Sequence, residues 1–338
     1  MVRLHPEIRD LAQEYVLLRI GNMRGVDLSV FDFDYDMQWF ALMLTADGEA
    51  LGRCGGRDAD TPGKYQTLAA LRHSLDESLQ RFKAMKDRKR PTPRKPMLAE
   101  DYPAAQKRPD NACIHCHHVY EFRRDYLQRE GHWSLDEVWV YPQPENLGLT
   151  LDVDRGDRIV RVEPKSVAAK LGVKPVDALR SIDDVAITSV ADVQYALHKA
   201  PKKGELAVIW QSGAHHLKGT IPLVENWRRT DVSWRWSLKS LSPSPSVIGD
   251  DLNLDERKKL GLEPQQLAYR QMNFLTPTAR HAGLQANDVI VGIDDRPMNM
   301  TARQFETHIR LHYRVGQEIT LNVLRGKERV KVRLKLPE

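Results

Sequence analysis

Cysteine is scarce in this chain of 338 residues, with only Cys54, Cys113 and Cys116 present. Long hydrophobic runs are absent. No stretch of about 18 apolar residues exists, so no membrane-spanning helix is expected. No signal peptide is visible, because Met1-Val2-Arg3-Leu4-His5-Pro6 leads straight into an amphipathic segment. The main basic cluster (Lys86, Arg88, Lys89, Arg90, Arg94 and Lys95, set among Pro91, Pro93 and Pro96) has no interleaved aromatics to stack bases. It reads as a solvated helix end running into a stiff proline linker, and no nucleic-acid partner is expected. No Ser/His/Asp arrangement precedes the second half of the chain, which weakens a protease reading.

Hydrophobic residues make up 41% of the chain and charged residues 29%, with a formal net charge of +5. That balance belongs to a globular protein, and the length calls for two or three domains. Residues 5–14 read as the end of a helix, and Tyr15–Ile20 as a strand apolar enough to be central. Asp32-Phe33-Asp34-Tyr35-Asp36 reads as an exposed acidic loop, because it lacks the glycine turn and closing glutamate of a calcium loop. Trp39–Leu44 and Ala50–Cys54 form a hairpin through Asp47-Gly48, a pair that supplies the positive φ angles of a tight turn. A long helix is expected from Lys64 to about Lys86, with Leu68, Leu71, Leu75, Leu79 and Phe82 on its buried face. Cys54 reads as a small buried residue at a strand end.

Helix end, strand, connection, hairpin and closing helix together resemble the second half of a thioredoxin-like domain. The likeness covers about the first 85 residues and is most specific over Trp39–Gly56. It implies a Cys-x-x-Cys at the start of the helix whose tail is residues 5–14, and a cis-proline where Met37-Gln38 stand. Neither is present. The expectation is that Met1 is an internal methionine and that the natural protein extends upstream. Thioredoxin-like proteins joined to PDZ domains, some of them selenoproteins, are similar to this chain.

Cys113-Ile114-His115-Cys116-His117-His118 carries the densest chemistry. Two cysteines two residues apart and then histidine form the c-type haem attachment pattern, with thiols for the vinyl groups and His117 for the iron. Covalent haem c on Cys113, Cys116 and His117 is the first reading. Zinc or copper held by Cys113 and Cys116 with one or two of His115, His117 and His118 is the second. A redox dithiol or disulfide, with no cofactor, is the third. A helix from Val119 to about Arg129 places His117 near its start.

The rest of the chain repeats itself. Ser166–Leu179 recurs as Pro277–Ile290, and each copy continues through an Asp-Asp turn, a helix and two strands. The shared pattern, Ala-x-x-x-Gly-Leu or -Val and then Asp four residues on, is clear in Ala168, Gly172 and Asp177 and in Ala279, Gly283 and Asp288. It resembles the PDZ domain. The resemblance implies that an extended peptide or protein C-terminus adds as a strand beside the second strand and against the long helix. In copy one the implied carboxylate loop and groove are Leu147, Gly148, Leu149 and Leu151 with Val193 and Leu197. Copy two offers Lys259-Leu260-Gly261-Leu262, but Pro264 follows and cannot donate to an added strand. Copy one is therefore the expected peptide site.

The reading is an α+β multidomain chain: a thioredoxin-like region (1–86), a basic linker with the Cys/His site and a helix (87–135), a first PDZ-like β-sandwich or barrel domain (136–224), a Trp/Arg-rich linker (225–250) and a second PDZ-like domain (251–338). The expected function is a redox-associated, peptide-binding adaptor, with no catalytic residue in this chain. It belongs in the periplasm or cell envelope if the natural N-terminus carries a signal, and otherwise in the cytoplasm. The alternative is a thiol oxidoreductase or peroxidase whose cysteine or selenocysteine lies upstream of Met1.

Overall fold

The computed structural model describes residues 5–85 and 94–338. Lys86–Pro93, which holds four of the six residues of the basic cluster, lies outside the described residues. Two compact units emerge, Met1–Thr230 and Asp231–Glu338, and the division falls inside the stretch expected to link the repeats. No described helix is long and apolar enough to cross a membrane.

The first unit opens with helix α1 (Pro6–Ala12). Tyr15–Ile20 forms no strand, and Val16 and Leu18 are 90% and 83% exposed. The central-strand expectation fails because the following sheet has only two strands, β1 (Phe40–Leu44) and β2 (Ala50–Gly55), and offers this segment no pairing. Their antiparallel hairpin runs from Phe40↔Gly55 to Leu44↔Ala50, with Gly48 at φ +83° in the turn. Helix α2 (Leu68–Ala84) starts later than its apolar pattern predicts, because the Thr67 hydroxyl caps it by accepting the Ala70 N–H at 3.0 Å.

The acidic loop is not the exposed one expected. Asp34 and Tyr35 are buried, and Tyr120 donates to Asp34 at 3.2 Å. Met23, Leu28 and Tyr35 share a core with Ala99, Ala105, Ile114, Val119 and Phe122. Residues 97–129 therefore fold back on the 22–37 loop, anchored by Met23 N–H to the Ile114 carbonyl at 2.8 Å and Ile114 N–H to Asn22 Oδ1 at 2.9 Å. Helix α3 (Cys116–Arg129) begins three residues earlier than the sequence pattern indicates.

The first repeat then builds a β3 (Leu149–Leu151) and β4 (Ile159–Val162) pair, helix α4 (Val167–Leu171), β5 (Ala178–Ile182), β6 (Val185–Ala186), helix α5 (Val190–Lys199), β7 (Gly204–Ser212) and β8 (His215–Leu223). The four later strands run in the order β6-β5-β7-β8. In the second unit the elements are β9 (Gly249–Asp251), α6 (Leu254–Lys259), β10 (Tyr269–Gln271), α7 (Pro277–His281), β11 (Val289–Ile293), β12 (Arg296–Pro297), α8 (Ala302–His312), β13 (Glu318–Arg325) and β14 (Glu328–Lys335). Its sheet runs β14-β13-β11-β10-β9, with β12 pairing β11.

The repeat seen in sequence is a structural one. Ala168 and Ala279 are fully buried, where their small side chains let α4 and α7 sit close to the sheet. Asp177 and Asp288 each accept the backbone N–H three residues earlier, from Lys174 at 2.9 Å and Gln285 at 2.8 Å. The residue before each aspartate, Val176 or Asn287, has φ near +70°.

Candidate functional site

An antiparallel ladder directs alternate backbone groups to opposite edges. In β9 the Ile248 carbonyl accepts from Met272 N–H at 2.8 Å and the Leu252 N–H donates to the Ala268 carbonyl at 2.9 Å, so both face β10. The backbone groups of Gly249 and Asp251 accordingly face the other edge, where β9 ends the sheet and α8 packs along it. Asp251 fixes the helix there by accepting the Ala302 N–H at 3.0 Å, while Arg257 holds Asp251 at 3.1 Å. Gly249 must be glycine, since a Cβ would fall 1.8 Å from the Arg270 carbonyl oxygen.

The chain enters β9 through Ser246, at φ +58°, whose carbonyl accepts from the Thr276 hydroxyl at 2.9 Å. Thr276 caps α7 as Ser166 caps α4, and Gly148, at φ +82°, lies against Ser166. Ser246 therefore corresponds to Gly148, and Ser246–Gly249 is the loop leading into the second module's edge strand. This corrects the sequence reading of Lys259–Leu262. Gly261, at φ +68°, instead ends α6, an insertion between β9 and β10. Leu260 and Leu262 pack with Leu252, Ala268, Val289 and Leu324. The apolar-Gly-apolar pattern there was a helix C-cap, which has the same local signature, and Pro264 is not in the edge strand.

Residues 261–336 match the PDZ domain family. In the PDZ domain so defined, β9 and the Ser246–Gly249 loop precede the matched residues and complete the sheet. No curated protein matches the chain. Two solved structures of an HtrA-type protease, one with a decapeptide and one with a tripeptide, align at 23% and 22% identity with TM-scores of 0.24 and 0.23. The alignments cover 27% and 28% of this chain and 27% and 32% of those chains, so the matched part spans about a third or less of either.

In the first module the structure brings the six expected groove residues together. Leu147, Leu149, Leu151, Val193 and Leu197 are all buried in one core, and Gly148 forms the left-handed turn between the first two. Tyr65, from the segment before α2, is buried in the same core. The N-terminal hairpin also lies on α5. Arg53 pairs with the fully buried Asp192 at 3.4 Å and stacks over Tyr195 at 3.5 Å. Gln194 donates to the Arg57 carbonyl at 3.0 Å and to Gln143 at 2.9 Å. Asp192 is the reciprocal partner of the Ser189 N-cap of α5, accepting from Thr188 and Ser189. Burial pushes its carboxyl upward, while Arg53 and the Thr188 donors pull it back.

At the third candidate, Cys113 is exposed, Cys116 is half-buried and both are free thiols. Burial raises the Cys116 thiol above its ordinary value, which lowers its thiolate fraction at neutral pH. Cys54 is buried at a strand end as expected, its thiol pushed up to about 11. The imidazoles cluster. His117 and His118 have ring centroids 4.3 Å apart, and His115 lies 5.3 Å from His118. His117 Nδ1 is 2.9 Å from Glu121 Oε1, and His118 Nδ1 accepts the His115 N–H at 3.0 Å. Burial, with the neighbouring His117, Arg108 and His115, pushes His118 down to about 4. Glu121 was missed from sequence, although its spacing four residues after His117 puts the two on one helix face.

Proposed function

We propose that the chain is a peptide-binding adaptor whose receiving element is the PDZ domain of the second unit. The observation that carries this is the β9 edge: a terminal strand, entered through a left-handed residue, with α8 alongside. A protein C-terminus or extended segment would add to that edge, its backbone pairing with Gly249 and Asp251 and its terminal carboxylate meeting the N–H groups of the loop before them. In this reading the sequence-based preference for the first module is reversed. There the N-terminal hairpin lies on α5, the helix that would border the peptide, through Arg53 to Asp192 and Tyr195 and Gln194 to the Arg57 carbonyl, so the first module serves as a scaffold. The redox part of the function, in which bound proteins are brought to the Cys113/Cys116 thiols, stays within the proposal.

Fluorescence anisotropy of the full chain against a library of labelled decapeptides tests this. Binders are expected, with at least a tenfold loss in Ile248→Glu, which alters a side chain that is 38% exposed in the loop. Amidating the peptide C-terminus separates carboxylate capture from strand addition alone. Absence of any binder, or affinity unchanged in Ile248→Glu, would overturn the proposal.

A further inference from the structure

We propose that His117, His118 and Glu121, in the first two turns of α3, bind a divalent transition metal, with zinc as the ion tested. Their candidate donor atoms all lie within 4.8 Å of one another. The set is two imidazoles and one carboxylate, borderline and hard donors that suit zinc without any thiolate. The donor set differs from the one the sequence pointed to. Glu121 enters, and Cys113 and Cys116 leave.

The surroundings fit the chemistry. The Glu121 carboxylate already meets His117 Nδ1 at 2.9 Å, a separation close to that of two neighbouring ligands on one small cation. Helix α3 is held from behind by Ile114, Val119 and Phe122 in a buried cluster, so the donors project from a fixed element. His118 carries a specific consequence. Its Nδ1 accepts the His115 N–H, which places the proton of the neutral ring on Nε2. Metal binding at Nε2 moves that proton to Nδ1, and binding at Nδ1 displaces the hydrogen bond outright. Either route breaks the His115 N–H bond, so metal binding should be visible at a backbone amide that is not itself a ligand.

The untagged 338-residue chain titrated with zinc against a chromophoric chelator gives the test. The expected result is one ion per chain with a micromolar or lower Kd. Affinity should fall at least tenfold in His118→Ala and in Glu121→Gln, and stay within twofold in the Cys113→Ser/Cys116→Ser double variant. Circular dichroism establishes that each variant is folded, and the His115 amide should exchange faster when zinc is bound. No binding at 100 μM zinc would overturn the site, as would loss of binding in the cysteine double variant instead. Protein from a haem-maturation host that shows a Soret band surviving denaturation would also overturn it, by assigning His117 to haem.

Discussion

Val176 is a β-branched residue at φ +71° and 70% exposed, so it occupies a left-handed conformation without burying its side chain in return. The strain of such a placement is about 1–3 kcal/mol. Its N–H is used, donating to the Ile159 carbonyl at 2.8 Å, so the backbone conformation is imposed by the link between β4 and β5. The second module solves the same problem with Asn287, which adopts φ +68° and makes the corresponding bond to Gln271 at 2.9 Å. Asparagine tolerates this region because its short polar side chain bonds locally. Val176→Asn should therefore stabilise the first unit by about 1 kcal/mol, read as a higher urea midpoint with an unchanged slope. A lower midpoint would mean that the valine makes a contact the exposure conceals.

Between elements, the decisive contact is that of β2 with α5, and it was not legible in the sequence. Arg53 and Asp192 are 139 residues apart, and nothing local marks either as buried. Removing one member of a buried ion pair costs about 3–5 kcal/mol, because the other charge is left unpaired in the interior. Arg53→Met should cost that much in chemical denaturation, whereas Arg53→Met combined with Asp192→Asn should recover part of it. A loss in the double variant equal to the sum of the losses in Arg53→Met and Asp192→Asn alone would show that the pair is not coupled. The elements that were legible are those whose signal is local: the Asp47-Gly48 hairpin, the existence of helix α2, and the repeated Ala, Gly and Asp positions; of the expected α2 stripe only Leu75 is buried, beside Ala70, Ser74 and Ser78. Tyr15–Ile20 misled because an apolar run reports only that burial is available somewhere, and among the described residues no strand pairs with it. The edge strand β9 was missed for the opposite reason. Its Gly-Asp-Asp sequence has no strand-like pattern, and only the pairing with Tyr269–Gln271 defines it.

At the scale of the whole first unit, the N-terminal region and the first repeat are one folding unit, although sequence composition separates them. Tyr65 is part of the repeat's core, Thr67 donates to Asp154 at 2.6 Å, His73 meets Asp157 at 3.2 Å, and Arg81 donates to the carbonyls of Leu51 and Ile187. Asp157 is buried. Burial alone would raise its carboxyl, but His73 and Arg155 hold it below the usual carboxylate range, and Arg180, like Arg155 a residue of the repeat, pairs with it at 3.1 Å. A chain starting at Arg94 would lose the tyrosine from the core and leave Asp192 without its arginine. That combines a cavity with an unpaired buried charge, two of the costliest single defects in a small domain. The second unit draws every strand of its sheet from residues 249–335, and the same truncation removes none of them. The truncated protein should thus keep one cooperative thermal transition, with protected amides confined to residues beyond Asp231. Amide protection retained in α5 and β7 would show that the first repeat folds without the hairpin, and would reopen its groove as a peptide site.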